Sequence, residues 1–310
     1  MTALICGSIA FDTVMVFPGR FRDHILPDRI HLLNVSFLVP SMRRNFGGCA
    51  GNIAYSLRLL GGQGIPMATV GHDFGPYGQW LRERSVDVSQ LRVVDGEYTA
   101  QAFITTDLDD NQITAFHPGA MNQSHRNEVS QVTGCSIGLV APDGREGMVQ
   151  HAAQFAAAGI PMLFDPGQGL PMFDGAELLD FISKATWVAV NDYEGQLLSE
   201  RTGLSHTEIA NRVQALIVTK GAEGSVIHAA GREYRIPAAR PDAVVDPTGC
   251  GDAYRAGLLF GLMNGLDWET TGRIAALLGA IKIAHAGTQA HSFTMDEFGD
   301  RFRAAFGRAL

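Results

Sequence analysis

The sequence has few cysteines and lacks the segments that mark export or membrane insertion. Its four cysteines, Cys6, Cys49, Cys135 and Cys250, lie far apart and form no C-x-x-C pair, which favours a reduced cytosolic setting. The N-terminus carries no basic leader before its apolar run, and no uninterrupted apolar stretch approaches the ~20 residues that span a bilayer. We therefore expect a cytoplasmic protein with no membrane partner.

An excess of positive charge is missing too. The formal net charge is −8 over 310 residues, whereas nucleic-acid binders take much of their affinity from basic patches. No G-x-G-x-x-G sequence follows the first predicted strand, which disfavours an NAD-dependent Rossmann enzyme. A small phosphorylated ligand remains compatible because it needs only local donors, so we expect no nucleic-acid partner but allow a nucleotide.

Glycine, by contrast, is abundant. The chain contains 36 glycines, clustered between apolar segments, and its hydrophobic content of 46% with 18% charged residues is typical of a globular protein with a full core. Such clusters indicate several loops in which backbone approaches a ligand closely.

The segment 246–252, with the sequence DPTGCGD, is the most informative of these loops. Gly249, Gly251 and Asp252 precede a long apolar run, a pattern that predicts a loop opening into a helix. The first amides of a helix are unpaired donors at the positive end of its dipole, so this turn can hold a phosphate. Asp252 could then accept a proton from an attacking hydroxyl. The alternative is that Asp252 only complements the helix dipole and the glycines only make a turn.

Two further groups of polar residues lie in the N-terminal part. Ala3 to Cys6 reads as a buried strand, which places Asp12 in the loop beyond it, at an edge where ligands of α/β sheets bind. A carboxylate there can accept hydrogen bonds from two adjacent hydroxyls, as on a ribose, or can be an ordinary turn aspartate. Residues 45–52 place a double glycine before Asn52, in the first turn of a helix. Those glycines either admit a ligand or let the helix pack close to a strand.

Two segments interrupt the alternation of strands and helices. Residues 32–39 look like one appended strand, and residues 99–116 carry a hairpin signal around a turn at 107–111. Together they predict a small β lid over the ligand edge of the main sheet. Phe103 and Phe116 would be its aromatic contribution, with plain packing as the alternative.

From residue 137 onward the alternation is regular. Strands near 137–140, 161–164, 186–190 and 215–218, with helices between them, indicate right-handed crossovers and a parallel sheet covered on both faces. We therefore expect a single α/β domain over residues 1–310. It would be a doubly wound, mostly parallel sheet flanked by helices, with lid segments inserted at about 14–46 and 98–118.

Two strand ends in this half carry polar residues. Asn191 and Glu194 have the spacing of a capping box, although both could face a hydrated magnesium ion instead. The loop that contains Thr219, Gly221 and Gly224 could hold the outer phosphates of a nucleotide. It could equally be a turn between two strands, since residues 225–228 and 233–236 read as a hairpin.

Taken in order, these motifs cover nearly the full length and resemble the ribokinase-like (PfkB) family of carbohydrate and nucleoside kinases. The resemblance implies that Asp252 is the general base and that Gly249, Cys250 and Gly251 form an anion hole. No G-x-x-x-x-G-K-[ST] sequence occurs, in agreement with a family that uses helix amides instead of a Walker lysine. The resemblance also implies three sets of ligands. ATP would be held by Asn191, Thr219, Gly221, Gly224, Gly249 and Gly251; Mg²⁺, through water, by Asn191 and Glu194; and a monovalent cation, expected to be K⁺, by Asp246, Thr248 and the backbone near Ala286 and Gly287.

Within the family the chain is most similar to bacterial adenosine kinases, in segments such as 17–21, 116–121, 191–194, 254–257 and 287–289. That similarity implies a nucleoside surrounded by Ser8, Asp12, Ser36, Gly48, Asn52 and Asp252, with Phe103 and Phe116 near the purine and Gln168 as a further contact. One departure concerns residues 170–173, Leu-Pro-Met-Phe, where a basic residue is expected soon after Gln168.

The expected activity is ATP-dependent phosphoryl transfer to the 5′-hydroxyl of adenosine, giving AMP and ADP, in a homodimer joined through the β lid. The competing acceptors are ribose or another furanose, which would leave the aromatic lid without a base to stack on, and another nucleoside. A nucleotide-binding regulator without catalysis is a further alternative, against which the intact Asp252 and glycine loop argue.

Overall fold

Two β-sheets form the framework of the chain in a computed structural model, which describes residues 1–25, 34–109 and 111–310. In chain order the strands are β1 (Thr2–Cys6), β2 (Ala10–Val16), β3 (Ser41–Gly47), β4 (Gln63–Val70), β5 (Leu91–Val93), β6 (Ala100–Thr106), β7 (Gln112–His117), β8 (Cys135–Val140), β9 (Met162–Phe164), β10 (Trp187–Asn191), β11 (Ala215–Thr219), β12 (Ser225–Ala229) and β13 (Arg232–Ile236). The α-helices are α1 (Cys49–Leu59), α2 (Gly75–Glu83), α3 (Arg145–Ala158), α4 (Gly175–Lys184), α5 (Asp192–Thr202), α6 (His206–Ala210), α7 (Cys250–Met263), α8 (Trp268–Ile283) and α9 (Met295–Phe306).

The larger sheet confirms the predicted doubly wound α/β fold. Its order is β13-β12-β11-β10-β9-β8-β1-β4-β5, and its neighbouring pairs are parallel except at one end, where β12 is antiparallel to both β11 and β13. The chain winds outward from β1 in one direction and from β8 in the other, so β1 and β8 flank the point where the strand order reverses. Ligands of such sheets bind beyond the carboxyl ends of the strands at this point.

Both faces of the larger sheet are covered, because its strands are apolar on both sides. Leu4 and Ile5 are neighbours in β1, yet they belong to two separate buried clusters, as the alternation of side chains along a strand requires. The cluster around Ile5 includes residues of α1, α2, α7, α8 and α9. The cluster around Leu4 includes residues of α3, α4, α5 and α6.

The smaller sheet corrects two of the predictions. Its order is β3-β2-β6-β7, so the predicted hairpin of β6 and β7 is confirmed, but Asp12 lies within β2 and not in a loop. Residues 34–39 form no strand, and the rest of the predicted strand, 32–33, falls outside the described residues. The strand that forms instead, β3, is exposed in its first four residues, of which only Met42 is apolar. It therefore carries no apolar alternation from which it could have been predicted.

Across residues 1–25, 34–109 and 111–310, no helix is both long enough and apolar enough to cross a membrane.

Close packing of α7 against α8 positions the start of α7. A Cβ atom added at Gly257 would lie 2.4 Å from the Cα of Ala275 on α8, a distance that no real Cβ can adopt without a shift of the backbone. Glycine is otherwise unfavourable inside a helix. Its presence at this position is explained by the approach of the two helices.

We expect Gly257→Ala to lower the melting temperature, because overpacking of a well-packed core costs roughly 1–3 kcal/mol and outweighs the gain in helix propensity. Gly299→Ala, inside α9, is the matched control. Among the described residues, a Cβ at that position would meet no atom within 4 Å beyond its own stretch of helix, so it should stabilise the protein by roughly 0.5–1 kcal/mol. Thermal unfolding of both variants checks this pair, and a stabilised Gly257→Ala would contradict the packing argument.

Candidate active site

The first turn of α7 has the geometry of an anion-binding site. Gly249, the N-cap residue, has a φ of 80°, and a side chain there would also press within 3.0 Å of Thr288. The Cys250 N–H donates to the Pro247 carbonyl and the Ala253 N–H to the Gly249 carbonyl. In the part of the chain that the structure describes, the N–H groups of Gly251 and Asp252 between them have no hydrogen-bond partner.

The space in front of this turn is open. A Cβ added at Gly251 would meet nothing within 4 Å among the described residues, so packing within the protein does not require glycine at this position. The absence of a side chain leaves room for a ligand beside two free amides. A phosphate group fits this arrangement, since the unpaired donors and the helix dipole both favour an anion.

Asp252 stands beside these amides with a perturbed acidity. Its Oδ2 accepts a hydrogen bond of 2.8 Å from Nδ2 of Asn52. Burial raises the pKa of Asp252 to about 6; the Asn52 hydrogen bond and the charge of Arg255 oppose that shift, while the charge of Asp165 adds to it. A carboxyl group whose pKa lies near neutrality is well matched to accept a proton at physiological pH.

The orientation of Asn52 is fixed by partners from distant parts of the chain. Its Oδ1 accepts a hydrogen bond of 3.0 Å from Nε2 of Gln289, and Oε1 of Gln289 in turn accepts one of 3.1 Å from the indole of Trp80. The Tyr77 hydroxyl accepts from the same Gln289 amide and donates to the carbonyl of Gly47, at the end of β3. With its oxygen held by Gln289, Asn52 must turn its amide nitrogen toward Asp252.

A buried ion pair lies behind the anion site. Arg255 donates through Nε and one terminal nitrogen to the two oxygens of Asp165, both at 3.1 Å, and neither side chain is more than 8% exposed. Asp165 directly follows β9, and its charge also raises the pKa of Glu194, second to burial. Sequence analysis missed Asp165, although an acid directly after a predicted strand end could have suggested it.

Asn191 and Glu194 form the predicted capping box at the start of α5. The Glu194 N–H donates to Oδ1 of Asn191 at 2.7 Å, and the Asn191 N–H donates to Oε2 of Glu194 at 2.8 Å. Burial and neighbouring negative charge raise the pKa of Glu194, so a cation nearby would relieve an unfavourable charge. The donor set therefore fits a hydrated Mg²⁺, which stays a prediction. Among the described residues, no group of three or more His, Cys, Asp or Glu side chains is arranged to bind a metal directly.

The loop after β11 lies at the same edge of the sheet, since Thr219 pairs with Asn191 across β10 and β11. Its chain reversal into β12 confirms the reading as a turn between strands. Gly224 has a φ of 89°, and a Cβ there would lie 2.1 Å from the Ile236 carbonyl oxygen, so packing alone requires glycine. Gly221 is exposed with a φ of 55°. Phosphate contacts from Thr219 and Gly221 stay a prediction.

On the other side of Asp252, close packing accounts for the glycine pair Gly47 and Gly48. Gly48 has a φ of 87°, and a Cβ there would lie 2.5 Å from the Ser8 carbonyl oxygen. The Ser8 hydroxyl accepts the N–H of Cys49 at 3.1 Å, at the start of α1. The half-buried carboxylate of Asp12 lies over Gly47, where a Cβ would come within 2.5 Å of Oδ2. Burial and the charge of Asp246 raise the pKa of Asp12.

The register of the smaller sheet separates the two phenylalanines predicted near the purine. Asp12 pairs with Ala102 and Ala102 with Phe116, whereas Phe103 pairs with Thr13. Paired residues share a face and consecutive residues do not. Phe116 therefore lies on the face of Asp12 and Phe103 on the opposite face, so only Phe116 shares a face with the carboxylate expected to contact the nucleoside.

Two other predicted contacts are exposed. Ser36 lies in an extended segment outside any strand, and Gln168 lies in a short 3₁₀ helix after β9. A basic residue from another element contacts the backbone of residues 170–173. Arg201 of α5 donates to the carbonyls of Pro171, at 3.1 Å, and Phe173, so this cation stabilises the turn.

The oxygens of Asp246, predicted to bind K⁺, are engaged by hydrogen-bond donors. Oδ1 accepts the Thr248 N–H at 2.9 Å and Oδ2 accepts the Gly287 N–H at 2.8 Å. The Asp246 carbonyl accepts a hydrogen bond of 2.6 Å from the ammonium group of Lys282, which sequence analysis did not single out. Ala286 is exposed in the same segment. This donor set does not fit a further monovalent cation.

Comparisons with known proteins agree with the fold. Residues 12–295 match the family described as pfkB family carbohydrate kinase. A nucleoside kinase of Methanocaldococcus jannaschii is 33% identical over 270 residues, which cover 86% of this chain and 89% of that protein.

Two solved structures of a Burkholderia thailandensis nucleoside kinase are also similar. One, in complex with inosine, is 54% identical with a TM-score of 0.90 and covers 99% of both chains. The other, in complex with ADP-inosine, is 56% identical with a TM-score of 0.88 and covers 99% of this chain and 97% of that one.

Proposed function

The chain belongs to the pfkB family of carbohydrate kinases, and on that premise we propose that it is an ATP-dependent nucleoside kinase. Its proposed reaction is phosphoryl transfer to the 5′-hydroxyl of adenosine, which gives AMP and ADP. The names of its relatives support a nucleoside as the acceptor. A second acceptor, inosine, is favoured by one observation: it is bound in the 54% identical Burkholderia structure.

The observation that carries the proposal is the pairing of a base with an anion site. Asp252, held by Asn52, stands in the same helical turn as the free N–H groups of Gly251 and Asp252. In the transfer, the 5′-oxygen forms a bond to the γ-phosphorus while the bond from that phosphorus to the β-phosphate oxygen breaks. The hydroxyl proton passes to Asp252, and the amides stabilise negative charge on the transferred group.

ATP would approach from the other side of the α7 turn. Asn191 and Thr219 lie on adjacent strand ends, and with Glu194, Gly221 and Gly224 they form the edge that we assign to the outer phosphates and Mg²⁺. The ion would neutralise phosphate charge, with Glu194 and Asn191 reaching it through water. The potassium ion expected from the family resemblance is the part of this assignment that the geometry around Asp246 opposes.

The acceptor side combines a carboxylate and an aromatic ring. Asp12 is suited to the ribose hydroxyls, since a carboxylate accepts from two adjacent hydroxyls. Phe116 lies on the same lid face and is 53% exposed, so its ring is free to stack on a base. A sugar kinase would have no use for this ring, which favours a nucleoside over free ribose.

The homodimer expected through the lid belongs to the same proposal. Every residue of β7 is exposed, and Met42 and Ile113, which share the face of the smaller sheet opposite Asp12, are 69% and 45% exposed. Apolar side chains gathered on one small sheet support its burial against a second copy.

A coupled ADP-release assay over adenosine, inosine, guanosine, ribose and fructose tests the function directly. We expect kcat/KM to be much higher for the purine nucleosides, adenosine among them, than for ribose or fructose, because only the nucleosides present both a purine to Phe116 and a ribose to Asp12. A preference for ribose or fructose would replace the proposal with a sugar kinase. If no acceptor leads to ADP release, the result would favour the alternative of a nucleotide-binding regulator without catalysis.

Asp252→Asn should reduce kcat by roughly 10²- to 10⁴-fold, because it keeps the shape of the side chain and removes the base. In the wild type, kcat/KM should fall as the pH drops through about 6, where Asp252 becomes protonated. This acid limb should vanish in the variant. Asp296→Asn removes an exposed carboxylate from the first turn of α9 and is the matched control. Near-wild-type turnover of Asp252→Asn would remove the base assignment.

Phe116→Ala and Phe103→Ala form a second matched pair within the lid. A base stacked on an aromatic ring gains ~1–3 kcal/mol, so Phe116→Ala should lower kcat/KM for adenosine by roughly 5- to 150-fold. Phosphorylation of ribose should change much less, because ribose has no base to lose. Phe103→Ala, on the opposite face, should leave kcat/KM for adenosine and for ribose nearly unchanged. Equal losses on the two acceptors, together with a lowered melting temperature, would mean that Phe116 only packs.

A further inference from the structure

Lys282 is a buried cation whose hydrogen-bond partners are carbonyl groups. It lies one residue before the end of α8 and is 0% exposed. Its ammonium group donates to the Asp246 carbonyl at 2.6 Å and to the His285 carbonyl at 3.2 Å. Backbone carbonyls at such distances are also the ligands that a desolvated alkali cation takes from a protein.

These two carbonyls belong to the two segments that shape the anion site. One is the loop that runs from Asp246 to Gly249 and opens α7, and the other is the segment that follows α8. The Asp246 carboxylate joins them a second time, through the N–H groups of Thr248 and Gly287. The Lys282 ammonium is thus a positive charge placed where the loop and the segment meet.

The segment after α8 continues to the rest of the site. Thr288 packs against Gly249 and donates its hydroxyl to the Phe46 carbonyl of β3 at 2.7 Å. Its neighbour Gln289 holds the amide of Asn52, which contacts Asp252. A displacement of this segment would therefore reach the anion hole, the base and the smaller sheet together.

We propose that the ammonium group of Lys282 serves as a built-in monovalent cation, which orders the loop 246–251 so that this kinase needs no potassium ion. The ammonium carries the same single charge as K⁺ and holds carbonyl oxygens of the same two segments. A second cation bound against the Asp246 loop would be repelled by it at short range. Lys282 is a positioning residue, since it acts on the reacting atoms only through the backbone that it holds.

The proposal rests on the proposed kinase function only for its activity readout. Adenosine phosphorylation is measured in potassium chloride and in tetramethylammonium chloride at equal ionic strength and saturating Mg-ATP. The wild type should show the same kcat and KM in both salts. Lys282→Met should lose roughly 10- to 100-fold in kcat/KM in tetramethylammonium, as expected for one charge-assisted hydrogen-bonded group, and should regain a large part of it in potassium.

Lys184→Met is the matched control. Lys184 pairs with Asp180 on the surface of α4, so its removal should leave the activity and its salt response unchanged. Rescue by potassium distinguishes a cation site from ordinary packing, because a lysine that only fills space would not be replaced by an ion.

The melting temperature of the ligand-free protein in the same two salts tests the inference without kinase activity. Lys282→Met should be stabilised by potassium, whereas the wild type and Lys184→Met should not. Saturable activation or stabilisation of the wild type by potassium would overturn the proposal, and so would a Lys282→Met variant that is indifferent to it. The wild-type response decides the question even where the variant fails to fold. An inactive wild type with the expected melting behaviour would count against the kinase assignment alone.

Discussion

The hydrogen bond between Asn52 and Asp252 joins the two halves of the larger sheet at the point where its strand order reverses. Asn52 comes from α1, which follows the smaller sheet, and Asp252 from α7, 200 residues later. Because Gln289 holds the other end of the Asn52 amide and is itself held by Tyr77 and Trp80, the position of Asp252 depends on elements from across the chain. The contact between α1 and α7 is thus the constraint around which the anion site, the acceptor side and the smaller sheet are arranged.

The site is rich in acids for a centre assigned to phosphate. In three pairs of acids the charge of one raises the pKa of the other: Asp246 acts on Asp12, and Asp165 acts on both Glu194 and Asp252. Two buried cations, Arg255 and Lys282, stand against them. Asp165 holds Arg255, and backbone carbonyls hold Lys282, so both cations already have partners within the protein. It leaves the anion to helix amides, which bind without adding a charge that must later be displaced.

The parallel sheet was predictable from the sequence because its strands are continuous apolar runs between glycine loops. The strand β3 was not, because its polar, exposed residues carry no period. The capping box at Asn191 and the loop at 246–252 are local patterns, so their spacing alone suggested what they could do. Gln289, Tyr77, Asp165 and Lys282 have hydrogen-bond partners from 36 to 237 positions away, and a single sequence does not encode such pairings in any local signal. The face of the sheet on which Phe103 lies was not predictable for another reason: a shift of one residue in strand register moves a side chain to the opposite face.

The separate positions of Asp12, on the smaller sheet, and Asp252, on α7, bear on how a kinase limits the hydrolysis of ATP by water. Asp12 is carried by β2 of the smaller sheet, whereas Asp252 opens α7 beside the larger one. An acceptor that engages both carboxylates must bridge the two sheets and offer hydroxyls at both ends. A water molecule is too small to do so, so it gains no orientation at the γ-phosphate from this pair of groups. Under the proposed assignment, an acceptor site divided between the smaller sheet and α7 would discriminate against hydrolysis by the size of the nucleophile.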